Sequence, residues 1–213
     1  MGRRSLKKLD PGLDLSGYLC KTVDLPEPWD AQRLFDRRAP LEVEIGSGKG
    51  LFLLRGAKQF PEHDFLGLEV AGKYARFAAA RLAKAGVPNA RVAHGDAMMV
   101  VCELLPEASV QAVHVYFPDP WWKKRHHKRR IMNDRILGRI DLVLAPGGRL
   151  HFWTDVAEYF QESLARIAAV TSLSGPLRVP EHPAENTLDY RTHFERRMRL
   201  AGLPVYRSEF MKE

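Results

Sequence analysis

Leu41-Glu42-Val43-Glu44-Ile45-Gly46-Ser47-Gly48-Lys49-Gly50 is a short β-rich run that ends in a glycine turn and passes into a helical pattern at about 50–59. Glycines there permit a tight strand-to-helix turn and close approach of a ligand to the backbone. The same rhythm repeats downstream. Strands are predicted at Leu41–Ile45, Phe65–Glu69, Arg91–His94, Val110–Tyr116 and Arg149–Trp153. Helices are predicted at about 71–85, 97–104, 133–144 and 156–170. This alternation predicts an α/β fold, a mostly parallel central sheet with helices on both faces. Past Pro176 a proline-rich segment precedes a charged helix at about 190–201, and Val205–Phe210 reads as a last strand. Residues 1–38 are broken by Pro11, Gly12, Pro26 and Pro28 and read as an N-terminal arm with one short helix near Asp30 to Arg37. The expected organisation is that arm followed by a single domain over 39–213.

The 213 residues are enough for one domain with a substantial core. A net charge of +7 and a sequence pI of about 9.5 point to an anionic partner. Cys20 and Cys102 lie far apart among apolar neighbours and read as buried free thiols. With no CxxC or HExxH spacing, no metal is expected. No apolar run approaches the roughly 20 residues that span a bilayer. The basic start, Met1-Gly2-Arg3-Arg4-Ser5-Leu6-Lys7-Lys8, is not followed by a signal-peptide core, so a cytoplasmic protein is expected.

Each predicted strand is followed closely by a carboxylate: Glu44, Glu69, Asp96, Asp119 and Asp155. In an open parallel sheet the carboxyl ends of the strands share one edge, where ligands bind. The glycine spacing is GxGxG, neither the dinucleotide GxGxxG nor a Walker A loop. Glu44, two residues before Gly46, suits a ligand with a cationic amino group and no phosphate, a description that fits S-adenosyl-L-methionine. Glu69 is placed to accept both hydroxyls of a ribose. Asp96 reads equally as an acceptor for an adenine amine or as the N-cap of the helix that follows.

Phe117-Pro118-Asp119-Pro120-Trp121-Trp122-Lys123-Lys124-Arg125-His126-His127-Lys128-Arg129-Arg130 joins one acid, in a turn stiffened by two prolines, to six positive charges within eight residues. An acid suits a reacting centre and a cationic run suits a polyanion, so the loop suggests chemistry on a nucleic acid. Trp121 and Trp122 can stack on bases or anchor the loop to the core, and at least one is expected to anchor.

These motifs, with Gly67-Leu68-Glu69, Gly95-Asp96-Ala97, Thr154-Asp155 and Thr192-His193-Phe194-Glu195, resemble bacterial-type tRNA (guanine-N7)-methyltransferases over about residues 41–210. The resemblance implies a Rossmann-like class I methyltransferase fold with an antiparallel C-terminal strand, and transfer of a methyl group from S-adenosylmethionine to N7 of the variable-loop guanine of tRNA. It implies cofactor-side roles for Glu44, Gly46, Gly48, Glu69, Asp96 and Asp119, with Asp119 also the catalytic acid. Lys123, Asp155, Thr192, His193, Phe194 and Glu195 are implied substrate contacts. Lys124, Arg125, His126, His127, Lys128, Arg129 and Arg130 are implied RNA-interacting residues. Trp153 stands where some relatives carry Lys.

N7 of guanine is already a nucleophile at neutral pH, so no base is required and catalysis is mainly positioning. A carboxylate near the base favours the movement of positive charge from sulfur to guanine, and Asp119 is the candidate. A carboxylate can also accept from guanine N1–H and N2–H₂. Asp155 and Glu195 are the candidates, with Asp155 preferred because a strand end is the more rigid mount. The target base is expected to leave its stack. The alternatives are an RNA methyltransferase acting elsewhere, and a non-catalytic RNA-binding protein on the same fold. A nicotinamide oxidoreductase ranks last. No obligate protein partner is evident, and monomer and homodimer both stay open.

Overall fold

A computed structural model describes residue 6 and residues 8–213. The rest of the basic start, residues 1–5 and 7, lies outside the described residues.

Among the described residues eight strands form one sheet: β1 (Leu19–Lys21), β2 (Leu41–Ile45), β3 (Asp64–Glu69), β4 (Ala90–His94), β5 (Val110–Tyr116), β6 (Leu144–Thr154), β7 (Ser174–Leu177) and β8 (Tyr206–Met211). Their order is β1-β4-β3-β2-β5-β6-β8-β7. The first six in that order pair in parallel, while β8 runs antiparallel to both β6 and β7. The order of succession reverses between β2 and β5, which makes their carboxyl ends the switch point of the sheet.

Among the described residues seven α-helices accompany the sheet: α1 (Ala31–Phe35), α2 (Leu51–Gln59), α3 (Gly72–Ala85), α4 (Ala97–Met99, continuing as a wider turn over Val100–Leu104), α5 (Asp134–Val143), α6 (Ala157–Val170) and α7 (His193–Leu200). One face carries α4, α5 and α6. There Ile136, Leu137, Ile140 and Val143 form a helical stripe and are fully buried against Val113, Val115, Leu150 and Phe152. Each such side chain contributes about 1.5–3 kcal/mol of hydrophobic burial. The other face meets α2 and α3 through Phe52, Leu53, Ala75, Ala79 and Leu82.

That second face also carries a buried polar chain. Glu42 accepts from His63 Nδ1 at 2.6 Å and from His114 Nε2 at 2.7 Å. His114 Nδ1 lies 2.8 Å from Tyr116 Oη, which accepts from Arg191 Nη1 at 2.9 Å. Burial opposes the Glu42 charge, but the hydrogen bonds from His114 and His63 outweigh it and hold the carboxyl down at about 2. Burial, aided by the neighbouring His151, pushes His114 down to about 3. A neutral His114 therefore donates from Nε2 to the Glu42 carboxylate and accepts the Tyr116 hydroxyl proton at Nδ1. Polar residues inside strands are tolerated here because every link is made.

Two strands go beyond the expected set. β1 belongs to the arm and pairs with β4, so the arm extends the sheet instead of lying outside it. Its three residues are too few to show a period. Beyond it, Thr22 Oγ1 lies 2.0 Å from where a Cβ on Gly95 would stand, so only glycine fits that turn. The β7 sequence Ser-Gly-Pro-Leu reads as a loop but is the edge strand beside β8, a position that tolerates proline. The expected arm helix is present as α1, capped by Asp30, which accepts from Gln32 N at 2.9 Å. The two cysteines are free and half-buried, and burial pushes Cys20 up to about 11.

Candidate active site

One acid lies at or just beyond the carboxyl end of each of five adjacent parallel strands, in the spatial order Asp96, Glu69, Glu44, Asp119, Asp155 across β4-β3-β2-β5-β6. At about 4.8 Å between strands, the row spans about 19 Å of one sheet edge.

At its centre Glu44 is buried, at 2% exposure, and its Oε2 has no hydrogen-bond partner. Burial, and then the Glu69 charge, push its carboxyl well above the usual range. Glu69 holds the glycine turn: its Oε2 accepts from Gly48 N and its Oε1 from Ala71 N, both at 2.8 Å. Each oxygen keeps a second lone pair for a ribose hydroxyl. Gly46 and Gly48 have φ of +79° and +53°, and where each would carry a Cβ the space is open apart from a distant backbone oxygen. The Ser47 Oγ is also buried without a partner. An orphaned acid beside an open glycine cradle fits the cationic amino acid end and the ribose of S-adenosylmethionine.

Asp96 caps α4, its Oδ1 accepting from Met98 N at 2.8 Å. Its other oxygen makes no hydrogen bond among the described residues, so capping leaves room for an adenine amine.

Asp119 is exposed on the turn after β5, and its Oδ1 accepts from Trp121 N at 2.9 Å. The aromatic residues two positions either side of it, Phe117 and Trp121, have φ of +50° and +47°. Such backbone costs on the order of 1–3 kcal/mol per residue and persists only where neighbours impose it. Phe117 is fixed by a 2.7 Å bond from its N–H to Trp153 O and by the tilted ring of Phe194, with ring centroids 4.7 Å apart. Phe194 thus supports the Asp119 turn.

The basic run winds into one 3₁₀ segment, Lys124–Arg129. Lys123, Lys124, Arg125, Lys128 and Arg129 are exposed, and His126 and His127 are half-buried. Arg130 is different, and the expectation that it faces RNA is corrected. Its side chain is 5% exposed, ion-paired with Glu162, bonded to Pro120 O at 2.8 Å and His127 Nε2 at 3.0 Å, and laid over the Tyr159 ring. It pins the loop to α6. Neither tryptophan anchors the loop to the core as expected. Trp121 packs within the loop against His126 and Arg129, and Trp122 is 72% exposed.

Thr192 and Glu195 bracket the start of α7. Thr192 Oγ1 accepts from Glu195 N at 3.0 Å, and Glu195 Oε2 accepts from Arg191 N at 2.6 Å. Thr-x-x-Glu is a helix-capping pattern, a reading available in the sequence that the resemblance overshadowed. Glu195 is 2% exposed and also meets Arg199 at 3.2 Å and Arg207 at 3.7 Å. Both of its oxygens are thus engaged by protein donors in a buried setting. Asp155 is half-buried and makes no side-chain hydrogen bond among the described residues. His193 is neutral near pH 7: burial first, then Arg81, Lys49 and Arg196, push it down to about 4.

The Glu44 environment gives a testable sign. Between the usual carboxylate range and Glu44's own raised value, the folded protein holds one more proton than the unfolded chain. Stability therefore falls as pH rises through that window. Glu44→Gln removes the linkage. Its melting temperature at neutral pH is expected to rise by roughly 2–4 °C, the effect of about 1 kcal/mol in a domain of this size. S-adenosylmethionine affinity should fall in the same variant. Thermal melts across pH and titration calorimetry in buffers of different ionisation enthalpy check both, because cofactor uptake by the parent should release a proton. A lower melting point for Glu44→Gln would contradict the assignment.

Residues 38–208 match the family described as "Putative methyltransferase". A curated tRNA (guanine-N(7)-)-methyltransferase of Rhodopirellula baltica is 45% identical, the match covering all of this chain and 80% of the relative. That of Anaeromyxobacter dehalogenans is 40% identical, covering 89% of this chain and 93% of the relative. Among solved structures, the 16S rRNA methyltransferase KamB superposes with a TM-score of 0.61 at 16% identity, covering 86% of this chain and 92% of that one. The last likeness bears on the fold, whereas the first three bear on kinship: this chain belongs to the tRNA (guanine-N7)-methyltransferase family.

Proposed function

We propose that the acid row is the machinery with which this tRNA (guanine-N7)-methyltransferase seats its donor and its target base. Glu44, Gly46, Gly48, Glu69 and Asp96 hold S-adenosylmethionine, Asp119 faces the reaction, and Asp155 reads the guanine. The observation that carries this is the unpartnered, buried Glu44 carboxyl two residues before an open glycine cradle, at the switch point of the sheet.

When bound, S-adenosylmethionine supplies a methyl group on a sulfonium, which the in-plane N7 lone pair of guanine takes directly. The chain's own task is placement and charge. The Asp119 carboxylate favours the positive charge that develops on the guanine ring. Asp155 accepts from guanine N1–H and N2–H₂ from its mount directly after β6, while Asp119 is carried on the turn that follows β5. Exposed Trp122 offers a stacking face for a base drawn out of its helix, worth about 1–3 kcal/mol. Lys123 lies nearest Asp119 in the run and holds a phosphate of the target nucleotide. The protein acts on tRNA in the cytoplasm. Among the described residues no helix is long and apolar enough to cross a membrane.

Tritiated methyl transfer into unmodified tRNA, followed by borohydride–aniline cleavage, tests the reading. Cleavage at the variable-loop guanine is expected; robust incorporation with no cleavage there would refute it.

Five exposed cations on the loop predict a log affinity that falls with log salt at a slope of about −4. Lys124→Ala with Arg129→Ala should weaken all tRNAs alike and flatten that slope by roughly 1.5. Filter binding at several salt concentrations measures it, and an unchanged slope would remove the loop from the RNA contacts.

A further inference from the structure

A cavity of about 400 Å³ lies between β6, β8, α2 and α7 and shares only Glu195 with the residues assigned so far. Its wall holds four acids and four arginines, and their pairing is uneven. Glu181 is met by Arg199 at 2.9 Å and lies 2.8 Å from Arg207. Glu195 is met by Arg199 and by the Arg191 backbone N–H. Glu209 is met by Arg149 at 3.0 Å. Asp189 accepts the backbone N–H groups of Glu185 and Asn186, both at 2.7 Å. Every acid is therefore engaged.

Two of the arginines have no carboxylate partner among the described residues. Arg55 donates from Nε to Leu188 O at 3.0 Å, and Arg191 donates from Nη1 to Tyr116 Oη. They are close enough that burial and then the Arg191 charge both push Arg55 down. Trp153, on the same wall, is 4% exposed, and its Nε1–H has no acceptor. Arg191 lies over its ring at 5.1 Å. The two cations line one cavity and feel Glu195, Asp189 and Glu209 without pairing with them, and with the unanswered Trp153 N–H they suit an anion with several acceptor oxygens. Guanidinium groups meet phosphate through paired N–H donors, and the volume suits a mononucleotide-sized group.

We propose that this cavity is a phosphate-binding site in which Arg55 and Arg191 hold the oxygens of a phosphate group and Trp153 supplies a further donor. Trp153 thereby gains a role that the sequence left without one. The phosphate can belong to the tRNA backbone or to a free phosphorylated ligand. Only the first source rests on the function proposed above.

The test is titration of the full chain with inorganic phosphate at fixed ionic strength, by calorimetry, without methyl donor or tRNA. Arg55→Gln is expected to weaken binding about tenfold or more, the usual effect of losing one charged hydrogen bond. Trp153→Phe keeps the ring, removes the N–H donor and should weaken it less. S-adenosylmethionine binding, measured on the same samples, verifies the fold. Equal phosphate affinity in the parent and in both variants would overturn the site. If the source is tRNA, phosphate competes with tRNA and Arg55→Gln flattens the salt slope by a further 0.7–0.9 or so. If it is a free ligand, phosphate binds equally well beside tRNA. The titration needs no catalysis, so a failed methylation assay leaves its outcome standing.

Discussion

Asp119→Asn is expected to lower single-turnover methyl transfer by about 10²–10³-fold while tRNA affinity changes little. The choice of Asn matters. Asp119 also accepts from Trp121 N, and an alanine there would free the strained aromatic turn as well as delete the charge. Asparagine keeps an acceptor oxygen for that N–H and removes only the negative charge. If the acid works electrostatically, Asn and Ala are both slow, and Ala is slower by the cost of a looser turn. If it acts only as a turn residue, Asn is nearly as fast as the parent. Turnover of Asp119→Asn within twofold of the parent would remove it from the chemistry. Tight tRNA binding should persist in both variants, because the exposed cations lie beyond the turn, at 123–129.

Glu195→Ala is expected to act mainly on stability. The substitution leaves Arg199 and Arg207 facing a cavity without the carboxylate between them, and uncaps the Arg191 N–H. Breaking a buried charge network by removing one partner costs about 3–5 kcal/mol. In a domain of this size that lowers the melting temperature by roughly 6–20 °C. Calorimetric melting measures the shift. A variant that melts within about 2 °C of the parent, yet no longer binds tRNA, would return Glu195 to the guanine edge. Asp155→Asn should show the opposite pattern, an unchanged melt with weakened selection of guanine.

The inner strands were legible because short β-rich segments carry the buried apolar side chains, Leu41, Val43 and Ile45 in one and Val110, Ala112, Val113 and Val115 in another. The acid row was legible because a parallel sheet sends every strand's carboxyl end to one edge. What escaped depends on partners far along the chain. Arg130 reads like the five exposed cations before it, and its burial is decided by Glu162 and Tyr159 on α6, about thirty residues later. Glu195 looked like a free acid until β8 brought Arg207 beside it. His114 and Glu42 interrupt otherwise apolar strands, and only the sheet register discloses that they answer one another.

The strand that the arm lays along β4 has a consequence for any shortened version of this enzyme. A protein started at residue 38, where the family match begins, would strip β4 of its neighbour and bare a row of unsatisfied amide and carbonyl groups. It would also withdraw Thr22 from beside the Gly95 turn that leads to Asp96. Copies trimmed in this way would tend to zip together through their naked flanks. The arm thus doubles as a built-in stopper that keeps each molecule from recruiting the next.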